Sequence, residues 1–125
     1  KNLIFAPKVT KNQVQSVLSY ADVVYFSVYK SKVWDYGQSL NKVIDYMISK
    51  KPILASYSGY PSMINESNCG FFVPAEEVMS LVSKIKELAL MSESERNTIG
   101  AKGRSWLIEN RTYKKLANDY LNLLF

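Results

Sequence analysis

Histidine is missing from all 125 residues. That removes the commonest general base and the commonest zinc ligand, and with them any Ser-His-Asp triad. Cysteine is nearly missing as well. Cys69 stands alone, so no internal disulfide can form and a cytosolic setting is expected. It precedes Gly70 at the start of an apolar run, with no base to activate it, so burial outweighs nucleophilic use. No apolar run approaches the ~20 residues that span a bilayer. No signal peptide, internal repeat or low-complexity tract is visible. The chain opens Lys-Asn-Leu without methionine, and is expected to be a piece of something longer.

What is present is globular. A chain of 125 residues suits one domain with a real core, and 47% of it is hydrophobic. Nine tyrosines and two tryptophans argue against disorder. The formal charge is +5, with lysines spread through the chain rather than gathered into one run. That suits anionic partners such as nucleotide phosphates or acidic lipid headgroups, and equally suits an ordinary basic surface.

Hydrophobic periodicity alternates between strand and helix. Leu3–Ala6 is a short apolar run closed by Pro7 and predicts a buried strand. Val14, Val17, Leu18 and Ala21 recur at helical spacing, predicting a helix over about Lys11 to Tyr20. Val23–Val28 is β-branched and aromatic, a second strand, and the polar loop "YKSKVWDYGQS" follows. Leu40, Val43, Ile44, Met47 and Ile48 mark one face of the next helix. Pro52–Ser56 is a third strand, a short helix falls near Ser62 to Ser67, and Gly70–Val73 is a fourth strand. Beyond it the chain is helical. Val78, Leu81, Val82, Ile85 and Leu88 form a stripe, Ser92 with Glu95 forms a capping box, and Thr112 caps the last helix. This order predicts an α/β fold, a Rossmann-like parallel sheet flanked by helices.

Such sheets bind ligands beyond the carboxyl ends of their strands, where helices begin. The stretch "GQSLNKVID" lies there, and it is odd. A lysine on the first turn of a helix opposes the macrodipole. Ser39, Asn41 and Lys42, beside free N–H groups, form a candidate cradle for a phosphate or pyrophosphate. The plainer alternative is that Ser39 caps the helix and Lys42 points into water. One turn on, Asp45 could accept two sugar hydroxyls, or pair with Lys42 or Ser49 as a solvated acid. Gly37 and Gly59 lie in loops at the strands' carboxyl ends, and Lys8 follows the first strand at the same edge. Lys30, Lys32, Trp34 and Tyr36 mix charge with aromatic surface, but their spacing matches no nucleic-acid module, and no nucleic acid is expected as a partner.

The order "YADVVYFSV", "YGQSLNKVIDYMISKKPILAS", "SGYPSMINESNCGFFVP" resembles the C-terminal, donor-binding domain of family 4 retaining glycosyltransferases with the GT-B fold. "DYMISKKPI" falls on that family's "EAMACGKPV", which places Asp45 on the second glutamate of its E-x7-E motif and Gly37 on the first. A subgroup that makes bacterial surface polysaccharides reads "YG-S-NK--DYM--GKP" here, as this chain nearly does. The resemblance covers nearly all of the chain, and Gly37 to Pro52 is its specific part.

The resemblance implies that Asp45 takes the donor ribose and that Ser39, Leu40, Asn41 and Lys42 surround the diphosphate. Lys8 and Val9 would border the base, and Gly37 and Gly59 would belong to the donor-sugar loops. Residues 1–125 would then be part of a C-terminal domain whose N-terminal acceptor domain is absent, inactive alone. It further implies a nucleotide-sugar donor, expected to be UDP-linked, with no other cofactor and no metal. The acceptor would be a polysaccharide or a lipid-linked sugar. The setting would be cytoplasmic, in peripheral contact with an anionic membrane at its inner face. The reading from a different class is a non-catalytic α/β nucleotide-binding or docking module.

Overall fold

The computed structural model describes residues 2–60 and 62–125. A 3-10 turn over Lys11–Gln13 leads into helix α1 (Val14–Ser19), followed by strand β1 (Val24–Ser27). A second 3-10 turn, Lys32–Tyr36, precedes α2 (Asn41–Ile48) and β2 (Ile53–Ser56). Then come α3 (Met63–Ser67), β3 (Gly70–Val73), α4 (Val78–Leu90), α5 (Glu93–Asn110) and α6 (Tyr113–Leu124).

The three strands form a parallel sheet in the order β1-β2-β3, with Val24 level with Ile53 and Ile53 level with Gly70. Alternation along each strand sends side chains to opposite faces. Val24, Phe26, Ile53 and Ala55 pack with Val43 and Met47 of α2, Ile64 of α3 and Leu107 of α5. Leu54 and Val73 meet Leu88 of α4 in a smaller cluster on the other face. That second face is only partly roofed, and Tyr25 remains 43% exposed. The expected apolar stripe of α4 is likewise half used, since Leu88 is buried while Val78, Val82 and Ile85 face outward.

Long helix α5 closes the first face by close backbone approach. A Cβ added at Gly100 would lie 2.0 Å from the Lys50 carbonyl oxygen, and one at Gly103 would lie 3.0 Å from Cys69 Cβ. The capping box predicted at its start is formed. Ser92 Oγ accepts from Glu95 N–H at 3.2 Å, and Glu95 accepts from Ser92 N–H at 2.7 Å. Thr112 caps α6 through Lys115 N–H.

One expected strand does not form. Residues 2–10 carry neither helix nor strand, and Ile4 and Phe5 are each 89% exposed. Among the described residues no strand pairs with the outer edge of β1. Four residues on one edge make few ladder bonds, against an ordering cost of ~1–2 kcal/mol per residue. The helix expected over Lys11 to Tyr20 is a 3-10 turn that relaxes into one short α-helix. Cys69 is fully buried, and burial pushes its thiol above the usual range despite a lowering hydrogen bond from Ser67. It is a core residue. No helix among the described residues is long and apolar enough to cross a membrane.

Candidate functional site

The start of α2 stands at the carboxyl edge of the sheet, because its helix follows the carboxyl end of β1 and returns the chain to β2. The loop that delivers it is pinned from several sides. Trp34 Nε1 donates to the Tyr29 carbonyl at 2.9 Å, and its indole meets the Tyr57 ring edge-on. The Trp34 carbonyl accepts from the N–H groups of Gly37 (3.1 Å) and Tyr60 (2.8 Å) and from the buried Tyr57 hydroxyl (3.2 Å). One oxygen therefore ties the Gly37 loop to the turn that holds Gly59. Burial, and then the Asp35 charge, raise the Tyr57 hydroxyl above its ordinary value, so it stays a hydrogen-bond donor.

Both glycines are required by this geometry. Gly37 has φ +103°, a conformation that side chains oppose. A Cβ on Gly59 would come within 2.6 Å of Trp34 Cβ and the Trp34 carbonyl oxygen. The loop that mixes charge with aromatic surface is thus partly structural. Trp34 is committed to the loop, whereas Tyr36 is exposed.

The helix start itself is uncapped. Leu40, not Ser39, occupies the N-cap position, no side chain accepts from the first-turn N–H groups, and no acid lies in that turn. The plainer reading, in which Ser39 caps the helix, is therefore not what the fold does. Ser39, Asn41 and Lys42 are all exposed there. The Lys42 ammonium lies over the Phe26 ring, 5.7 Å from its centroid, rather than pairing with an acid. Asp45 is half-buried one turn on. The ion pairs among the described residues are Lys84–Glu87, Arg96–Asp22 and Lys115–Asp119, and none involves Asp45. Ser49 hydrogen-bonds the Tyr46 carbonyl instead of the Asp45 carboxylate. Burial raises the Tyr46 hydroxyl above its usual range, and the Asp45 charge raises it further.

Residues 37 to 45 thus come together at one edge, with Gly59 tied in through Trp34. Lys8 and Val9 do not join them. They lie in the exposed segment 2–10, and among the described residues no hydrogen bond links them to α2. Two open clefts border the loop and the helix start. Lys30, Ser31, Lys32, Asp35 and Ser58 line an open cleft of about 460 Å³ beside the same loop. Gln38 lines another, of about 300 Å³, together with Ser39, Ser62, Glu66 and Arg111. The residues of the second cleft come from the loop before α2, from α3 with its cap, and from the end of α5, which packs against both helices.

Among the described residues, a three-stranded parallel sheet with six α-helices about it, and an open helix start at its carboxyl edge, make a Rossmann-like α/β domain. The family model described as glycosyl transferases group 1 matches residues 1–90, and the chain belongs to that family. Comparison with curated proteins and with solved structures gives no match.

Proposed function

We propose that this chain is the donor-binding part of a retaining, metal-independent glycosyltransferase of GT-B type, of the family 4 kind that builds bacterial surface polysaccharide. It takes a nucleotide-sugar, with UDP as the carrier. The observation that carries this reading is the uncapped, acid-free start of α2, set at the carboxyl edge beside Asp45, a carboxylate with no ion pair among the described residues. Free N–H groups with a partial positive charge attract a diphosphate, and Ser39 and Asn41 add polar contacts. Lys42 has a flexible stem, so its ammonium leaves the Phe26 ring and meets the anion. Asp45 accepts from two ribose hydroxyls. Lys8 and Val9 reach the base through ordering of their segment.

In this reading the enzyme lowers the barrier by stabilising the charge that grows on the departing diphosphate as the glycosidic bond breaks. The acceptor, a polysaccharide or lipid-linked sugar at the inner face of the membrane, binds a partner domain. The catalytic groups at the reacting carbon lie outside residues 1–125.

Calorimetric titration of the chain with UDP, UMP and inorganic phosphate tests the reading. The diphosphate is the part the helix start holds, so UDP should bind at least tenfold tighter than UMP. Equal affinity for the two would remove the helix start from the account. A non-catalytic nucleotide-binding module would share the binding, but not donor turnover once the complete protein is assayed.

A further inference from the structure

We infer that the groove between β1 and α4, on the second face of the sheet, is a docking site for helix α6 of a second copy of this chain. The inference stands apart from the donor-site reading and uses none of its residues.

Two clefts, of about 270 and 500 Å³, meet at Tyr25. Together they follow α4 from Val78 to Ala89, beside the edge of β1 that no described strand pairs with. The floor is Val23 and Leu54, while Tyr25 on the strand side and Val78 and Ile85 on the helix side stay exposed. Helices α2, α3 and α5 cover the first face of the sheet, whereas α4 alone among the described helices packs on the second. The space left beside it is that of one more helix.

The chain carries a helix of matching length with an unpartnered face. α6 has 12 residues, none of them buried, against 13 in α4. Tyr113, Leu116, Tyr120 and Leu124 recur at helical spacing and make one exposed apolar face. An amphipathic helix laid in a groove is held by such i, i+3 and i+7 anchors. α6 cannot fill the groove of its own molecule. It follows α5, which packs on the first face, and Arg111 and Thr112 alone join the two helices. Two extended residues span at most ~7 Å, less than the ~10 Å of a single packed layer. The contact is therefore heterologous, from the helix of one copy to the groove of the next.

Charge sets its direction. Glu76 and Glu77 line the groove where α4 begins. The first turn of α6 holds Lys114 and Lys115 and no acid, so it opposes its own macrodipole. Lys115 pairs with Asp119, whereas Lys114 makes no ion pair among the described residues. Setting that turn against Glu76 and Glu77 answers both the lysine and the positive end of the helix. At the other end Arg96 already pairs with Asp22 at 3.2 Å, which leaves that end nearly neutral. The docked helix then runs parallel to α4.

Sedimentation of the whole chain across a concentration series tests this. One helix in one groove is small among specific interfaces, under about 1,200 Å² in total, so association is weak and is read at high protein concentration. Ile85→Glu disables the groove and Leu124→Glu disables the helix, each at an exposed position. Each variant should associate at least tenfold more weakly, with its melting temperature unchanged. An equimolar mixture of the two should recover a dimer and stop there, because one intact groove meets one intact helix. Glu77→Lys and Lys114→Glu should each weaken association several-fold, and mixing those two should restore it. Association that persists in Ile85→Glu would place α6 against α6, and association that persists in Leu124→Glu would place the contact at the sheet edge. Either result would overturn the inference, as would a monomer at every concentration or a mixture that recovers nothing.

Discussion

Asp45 and Lys42 should fail differently, and the structure sets the size of each failure. Asp45 makes no ion pair among the described residues, so Asp45→Ala removes nothing that holds the fold together. Its effect on stability should stay within about 0.5 kcal/mol, as for other substitutions away from a structural contact. A hydrogen bond to a charged group contributes roughly 1.5–3 kcal/mol, so loss of the ribose contact should weaken UDP binding about ten- to hundredfold. The Tyr46 hydroxyl supplies an internal control. Part of its upward displacement comes from the Asp45 charge, so it should titrate lower in Asp45→Ala. Lys42→Ala also removes a cation from the Phe26 ring, a contact of about 0.5–1 kcal/mol at an exposed site, so stability should fall by that much. In the complete enzyme Asp45→Ala should act mainly on donor KM, and Lys42→Ala mainly on kcat, since its charge faces the departing group. Lys42→Arg should keep the ring contact and recover kcat only in part. Titration calorimetry, thermal melting and steady-state kinetics read the three effects. Wild-type affinity and kinetics in both alanine variants, with the fold intact, would refute the reasoning.

Gly100→Ala should destabilise the chain by about 1–3 kcal/mol, because the new methyl meets the Lys50 carbonyl and α5 must move; urea unfolding measures this. Ser92→Ala should cost about 1 kcal/mol through loss of the α5 cap. The Ser92 bonds hold the Glu95 carboxyl below its ordinary value near 4.5, so their contribution is complete above that value and is lost as pH falls through the lowered one. The Ser92→Ala chain should accordingly show a flatter stability profile in acid, checked by melting across pH. Leu123, Leu124 and Phe125 project from α6 with Tyr113 and Leu121. The chain should therefore self-associate with concentration in light scattering, and Leu123→Ser should reduce it.

The sheet was legible because β1, β2 and β3 are short, nearly continuous apolar runs, which buried parallel strands require. Leu3–Ala6 has the same composition and forms nothing, because a strand is made by its neighbour as much as by its residues. Caps made within four residues, such as Ser92 with Glu95 and Thr112 with Lys115, were equally readable. Contacts between distant segments were not. Nothing local announces that the Trp34 carbonyl gathers Gly37, Tyr57 and Tyr60, or that Lys42 lies across Phe26. The oddity of a lysine on an acid-free first turn was visible in the sequence, and the fold keeps that turn uncapped.

The most direct measurement is a map of backbone amide shifts as UDP is added to the labelled chain. The account predicts progressive shifts from Gly37 through Asp45, largest at the amides of Asn41 and Lys42, where free N–H groups open α2. Shifts confined to α5 and α6, with the α2 start unmoved, would contradict it.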